Sequence, residues 1–220
     1  EPLELPVDRS RPRQRSFASQ REDLTLDAEL VSAIKRVGAS KGASLYAILL
    51  ASFGVLLQRL AGQDDLVIGI PSAGQSGTDR PGMVGHAVNV LPVRINFDPA
   101  VSFADTLSGV RSHLLDAFEH QRYTFGTLLR RLAMARDPGR LPLVSVLFNL
   151  DPGLDDDSLG FKGLKARFAG VPRSYENFEL FINAVQAGDA LRLECQYNSA
   201  LFDAVTIRRW LELYATLLRD

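Results

Sequence analysis

Cysteine is almost missing from this chain: 220 residues contain one, Cys195. No internal disulfide can form, which agrees with a reducing compartment. Histidine is scarce as well. The three present are His86, His113 and His120, and none stands at metal-ligand spacing from another His, a Cys or an acidic pair, so no metal is expected. An excess of either charge is lacking, with 25 Lys and Arg against 26 Asp and Glu and a formal charge of -1. That balance excludes the basic footprint of a nucleic-acid binder and the acidic run of a solvated arm. Long apolar runs are absent too. The longest, Leu45 to Leu60, is interrupted by Ser52, Gln58 and Arg59, short of the roughly 18 to 20 residues that cross a bilayer. The first residues, Glu1-Pro2-Leu3-Glu4-Leu5-Pro6, lack the basic-then-apolar order of a secretory signal, so a cytoplasmic location is expected. No repeat or low-complexity tract is visible.

What is present is the composition of an ordinary globular protein, 46% hydrophobic and 23% charged, long enough for one large domain. Residues 1–22, rich in Pro, Arg and Ser, suggest a linker or extended arm ahead of a domain spanning residues 23–220. The domain is organised around Asp64 to Arg94, where the apolar run Leu66 to Ile70 and the run Ala87 to Ile95 flank a glycine-rich loop, Pro71 to Gly85. The pattern predicts strand, long loop, strand. The first strand has no polar alternation, so cover on both faces is expected.

Helices are predicted from Asp27 toward Gly38, from Ser44 to Gly62, from Ser102 to about His120 and from Thr124 to Ala135. Another starts at Asp203 and runs to the end. Ser102 and Asp105 have the spacing of a capping box with the shorter acid. Leu143 to Leu150 predicts a buried strand, and two alternating segments, Phe178 to Ala184 and Leu191 to Tyr197, predict a hairpin around Ala187-Gly188-Asp189. The irregular alternation of helices and strands points to an α/β fold with a mixed sheet covered by helices.

The residues alone define no catalytic set. Gly77 and Gly82 have P-loop spacing, but Met83 stands where the lysine belongs. Pro71-Ser72-Ala73-Gly74 follows a strand, but Ile70 fills a position that a nucleophile elbow reserves for Gly, so a polar loop is the reading. His113 and His120 lie seven apart on one helix face, with structural or surface roles, and Cys195 is a small core residue. Asp155 to Asp157 suggests a solvated turn, lacking the further ligands of a calcium loop. His86 stands where loop meets strand, a common place for functional groups.

Five stretches together resemble the C-terminal lobe of a condensation domain of nonribosomal peptide synthetases. Gly85-His86-Ala87-Val88-Asn89 through Arg94 is similar to the motif Gly-x-Phe-Val-Asn-Thr-x-x-x-Arg, with Val90 in place of Thr. His120-Gln121-Arg122-Tyr123-Thr124-Phe125-Gly126 is similar to His-Gln-Asp-x-Pro-Phe-Glu. Arg136-Asp137-Pro138-Gly139-Arg140-Leu141-Pro142-Leu143 resembles Arg-Asp-x-Ser-Arg-x-Pro-Leu-Phe and leads into Val146-Leu147-Phe148-Asn149. Gly62 to Gly69 and Tyr197 to Asp203 also match.

The resemblance implies a lobe like chloramphenicol acetyltransferase, one of two enclosing a tunnel. Peptidyl carrier protein domains would present thioesters there on phosphopantetheine arms, within a cytoplasmic multidomain enzyme of secondary-metabolite and antibiotic biosynthesis. No cofactor bound by the lobe itself is implied. The family's active-site motif, His-His-x-x-x-Asp-Gly, belongs to the other lobe and occurs nowhere in this sequence, which implies a lobe without its own condensation site. Gly85, His86 and Asn89 are the expected tunnel residues, with the Asn89 amide offered to a thioester carbonyl or pantetheine group. Arg94, Gln121, Arg136, Asp137, Arg140 and Asn149 are expected to hold the fold by charge-assisted and neutral hydrogen bonds. A lobe separated from its partner is also expected to expose an apolar face and self-associate. Two other functions stay open: a noncatalytic docking module for a carrier protein or tailoring enzyme, and a tailoring activity with His86 as base.

Overall fold

The elements follow the order β1 (Ser19–Leu26), α1 (Ala28–Ser40), α2 (Leu45–Ala61), β2 (Asp65–Ala73), β3 (Val88–Asn96), α3 (Phe103–Glu119), α4 (Phe125–Leu132), β4 (Val146–Asp151), β5 (Leu180–Ala187), β6 (Ala190–Asn198) and α5 (Ala204–Arg219). The structure is a computed structural model that describes residues 1–74, 84–85, 87–98, 100–134, 137–153, 164 and 170–220. His86, Arg136, Ala135 and Asp155 to Asp157 therefore lie outside the described residues, as do the loop residues 75–83.

Among the described residues six strands form one mixed sheet in the order β1-β6-β5-β4-β2-β3. The β2–β3, β5–β6 and β1–β6 pairs are antiparallel, whereas β2–β4 and β4–β5 are parallel. Alternate residues of each strand point to one face: Leu66, Ile68 and Ile70 from β2, Leu91, Val93 and Ile95 from β3, and Leu191, Leu193, Cys195 and Tyr197 from β6. All are buried in one core with α1, α2, α3 and α5. Central α2 explains why its apolar residues leave no clear polar face: Leu49, Leu50, Phe53 and Leu57 are all fully buried. No single helix among the described residues is long and apolar enough to cross a membrane.

The caps form where expected. The Asp27 carboxylate accepts from Leu30 N–H at 2.8 Å, Ser44 Oγ from Ala47 N–H at 3.2 Å, and Ser102 with Asp105 closes a reciprocal capping box. Gly62 ends α2 with φ 64°, a conformation that costs glycine little. In the β5–β6 hairpin Ala187 pairs with Ala190, and Gly188 takes φ 62° in the two-residue turn between them.

Three boundaries differ from expectation. Helix α4 stops at Leu132, because Ala133 turns left-handed at φ 47°. Strand β4 starts at Val146 because Leu143 has φ 67° and Val144 N–H donates to Pro142 O at 2.8 Å. That γ-turn cannot continue a strand. Strand β1 begins at Ser19, so four residues assigned to the arm belong to the sheet, where Ser19 pairs with Asn198 and Glu22 with Cys195.

At the sheet centre, Ile68, Gly69 and Ile70 are all buried. Gly69 faces away from the helices, covered by side chains of neighbouring segments. A Cβ there would come within 2.4 Å of Leu147 and 2.5 Å of Val144, so only glycine fits under them.

Candidate functional site

The ends of β2 and β3 bring Ser72 opposite Asn89 in the antiparallel register, both on the face that carries the helices. Beneath them runs the connection from α3 to α4. The Asn89 carboxamide grips it at three points: Nδ2 donates to Gln121 O at 3.0 Å and to Tyr123 O at 3.1 Å, and Oδ1 accepts from Phe125 N–H at 3.0 Å. Ser72 Oγ donates to Gln121 Oε1 at 2.9 Å. Thr124 then caps α4, accepting from Thr127 N–H. Two strands and a helix start are thus tied together by uncharged groups.

Next to this clamp lies a cleft of ≈ 600 Å³ lined by Gly74, Ala87 to Val90, Gln121, Arg122 and Thr124 to Gly126. Within this lining Gly74 N–H donates to Ala87 O at 2.7 Å. A Cβ on Gly74 would sit 2.2 Å from that oxygen, which accounts for the glycine. The lining residues include apolar Val88, Val90 and Phe125 and polar Gln121 and Thr124.

The residues singled out from sequence fall into separate groups. Asn89 and Gln121 meet in the clamp, and Gly85 is exposed, with nothing among the described residues within 4 Å of where a Cβ would stand. Both Asn89 amide hydrogens are committed to backbone carbonyls. Arg94 lies on the opposite face of edge strand β3, forked onto Asp65 at 2.7 and 2.6 Å. Asn149 Nδ2 donates to Asn183 Oδ1 at 2.9 Å between β4 and β5.

Asp137 and Arg140 form a third group. The Asp137 carboxylate accepts from Gly139 N–H at 2.7 Å, and Arg140 Nη2 donates to Glu4 Oε2 at 2.6 Å. Around them the arm is fastened by groups that sequence reasoning did not select. Arg11 forks onto the buried Glu179 carboxylate at 2.6 and 3.0 Å, and Asn198 Nδ2 donates to Ser16 O at 2.7 Å. Asp8 accepts from Asp203 N–H at 2.7 Å and from Thr206 Oγ1 at 2.9 Å. Asp8 thus caps α5 in place of Asp203, whose own side chain caps nothing and pairs with Arg9. Asn198 and Asp203 lie in the matched stretch Tyr197 to Asp203, so that stretch held a usable signal. Glu179, outside any motif, held none.

His113 is exposed on α3, and His120 closes that helix with Nδ1 2.9 Å from Asp116 O. Cys195 is buried, and burial raises its thiol far above the usual range, which makes it unreactive. Among the described residues no three His, Cys, Asp or Glu groups gather as metal ligands.

With this architecture in view, the class is defined: a six-stranded mixed sheet with flanking helices, the lobe fold of chloramphenicol acetyltransferase. The family Condensation domain matches residues 1–220, and the chain belongs to it. Among curated relatives, surfactin synthase subunit 2 of Bacillus subtilis (strain 168) is 36% identical over 217 residues, covering 99% of this chain and 6% of that protein. The chain therefore spans a small fraction of the length of the synthetases it matches. Among solved structures, a four-domain nonribosomal peptide synthetase bound to AMP and glycine superposes with TM-score 0.88 at 20% identity, over 98% of this chain and 17% of the other. The X-domain of teicoplanin biosynthesis, solved with OxyB, gives TM-score 0.85 at 21% identity, over 99% of this chain and 48% of the other. The fold is that of one lobe of a condensation domain.

Proposed function

We propose that this lobe forms one wall of a passage in which carrier-protein-tethered aminoacyl or peptidyl thioesters are bound and positioned, and that it carries no condensation site of its own. The observation that carries this reading is the cleft beside the Asn89 clamp. Its apolar and polar lining suits an extended chain of methylenes and amides such as a phosphopantetheine arm, whose amides find Gln121 and Thr124 while its methylenes lie along Phe125. The arm belongs to the partner, a peptidyl carrier domain of the same cytoplasmic synthetase, and adjacent synthetase domains are further neighbours.

The chain's contribution is placement. Holding a thioester in one orientation lowers the entropic part of the barrier for whichever group attacks it. Asn89 acts through the 121–125 connection that it fixes. The proton-transfer groups of peptide-bond formation would come from a second lobe, since the double-histidine motif is absent from this sequence.

The experiment is a titration of the isotope-labelled chain with a carrier domain in three forms: without its arm, with the arm, and with the arm aminoacylated. Tighter binding of the armed forms, with shifts at Asn89, Gln121 and Phe125, is expected. Equal binding of all three would replace this reading with a docking module that recognises the carrier surface. Shifts confined to other faces would remove the cleft from the account.

A further inference from the structure

Residues 1–18 contain no helix or strand apart from a single bridge between Ala18 and Tyr175, yet they lie fixed along the body of the lobe. Only Leu3 and Leu5 among them are buried apolar anchors. Most of the hold is polar, and that of residues 3–16 reaches four places far away in sequence: Gln63, Pro138 to Arg140, Glu179, and Asn198 to Thr206. This is how an extended peptide is held in a receptor, by side chains and isolated backbone bonds. Strand β1, in contrast, joins β6 through eight consecutive residue pairs.

We infer that residues 3–16 are a detachable strap, and that these four places form a peptide-binding site that the chain's own arm occupies. Charge complementarity sets the register. Arg11 meets Glu179, Arg9 meets Asp203, Glu4 meets Arg140, and the Asp8 carboxylate sits at the N-terminus of α5, where a helix dipole favours an anion.

The fastenings differ in depth. The Arg9 and Asp203 side chains are 47% and 48% exposed, whereas those of Arg11 and Glu179 are 17% and 9% exposed. Solvent and salt weaken the first pair more than the second, so the Arg11–Glu179 fork is the latch. Pro138 and Arg140 also sit in the loop between α4 and β4. Release of the strap therefore frees the segment that follows the helix beside the cleft. The inference stands on the arm's own contacts and does not depend on what the cleft binds.

The test is amide hydrogen exchange, residue by residue, on the full chain and its Arg11→Gln variant. The reporters are the amides of Asp8 and Arg9, which donate to Leu201 O, and of Arg15, which donates to Pro138 O. A detachable strap opens as one unit below the global unfolding free energy. These three amides should exchange together, faster than those of β5 and β6, and faster still by roughly tenfold or more in Arg11→Gln or when salt rises from about 0.05 to about 1 M. The β5 and β6 amides should not respond. Glu4→Gln, at an exposed pair, should give the same pattern with a smaller acceleration. Exchange of the arm amides only at the rate of β5 and β6 would overturn the inference, as would responses confined to single residues. A variant in which every amide accelerates equally would also overturn it, because the arm would then be part of the core.

Discussion

Two regions of this lobe are held by long-range side-chain bonds, and they use different chemistry. At the cleft, Ser72, Asn89 and Gln121 bind one another and three backbone groups without a formal charge. Along the arm, three charged pairs carry much of the work: Arg9–Asp203, Arg11–Glu179 and Glu4–Arg140. A neutral bond depends on distance and angle and is barely affected by ionic strength, whereas a partly exposed pair is screened. The lobe thus fixes the wall of its cleft by geometry and fastens its arm by charge. The same change of conditions should separate the two.

The largest expected effect is at the clamp. Asn89→Ala removes two donors and one acceptor, leaving the Phe125 N–H and the Gln121 and Tyr123 carbonyls to find water. At a net value of about 1 kcal/mol per bond, the loss is about 2–3 kcal/mol. Urea unfolding at low and high salt should give the same loss at both. A loss that shrinks markedly in salt would break the contrast between the regions. Ser72→Ala removes one bond and should cost about 1 kcal/mol, again without salt dependence. Carrier titrations should lose the shifts at Phe125 in Asn89→Ala more than in Ser72→Ala.

The sequence made the helix caps and strand periodicity legible, because each rests on contacts within a few residues. Asp27, Ser44, Gly62, Ser102 and Gly188 all act locally. It was less informative where one segment answers another far away. Leu143 interrupts a convincing apolar run with a left-handed turn, and Asp203 stands at a helix start whose cap arrives from Asp8, 195 residues earlier. Half the clamp was visible, since Asn89 and Gln121 stand in recognisable motifs. That they bind each other's neighbourhood follows only from the register pairing Ser72 with Asn89. The arm was the hardest to read, because isolated leucines and alternating charges have no periodicity until the surface that receives them exists.

On the arm side, Arg9→Gln should lower global stability by less than about 1 kcal/mol, the usual range for an exposed pair. Its two bonds to the Ser199 and Phe202 carbonyls, at 3.2 and 3.1 Å, are lost together with the pair. The effect should fade as salt is added, in contrast to Asn89→Ala. If Arg9→Gln and Asn89→Ala keep the same ratio at every salt concentration, charge is not what distinguishes the arm.

The smallest effect sharpens the comparison from a third place, the exposed fork between Arg94 and Asp65. The hydrogen bond from Arg94, slightly opposed by burial and helped by the Arg94 charge, holds the Asp65 carboxyl below its usual value. A carboxylate with a depressed folded-state pKa stabilises above its unfolded value of about 3.9, and the contribution disappears as pH falls through the folded value. Wild type and Asp65→Asn should therefore differ by a small constant amount from neutral pH down to about 4, and the difference should close below that. Asn89→Ala, whose bonds involve no titrating group, should keep its full deficit over the same range while the protein stays folded. An Asp65→Asn deficit that persisted unchanged into acid would mean that the Arg94 fork, though well formed, contributes nothing through charge.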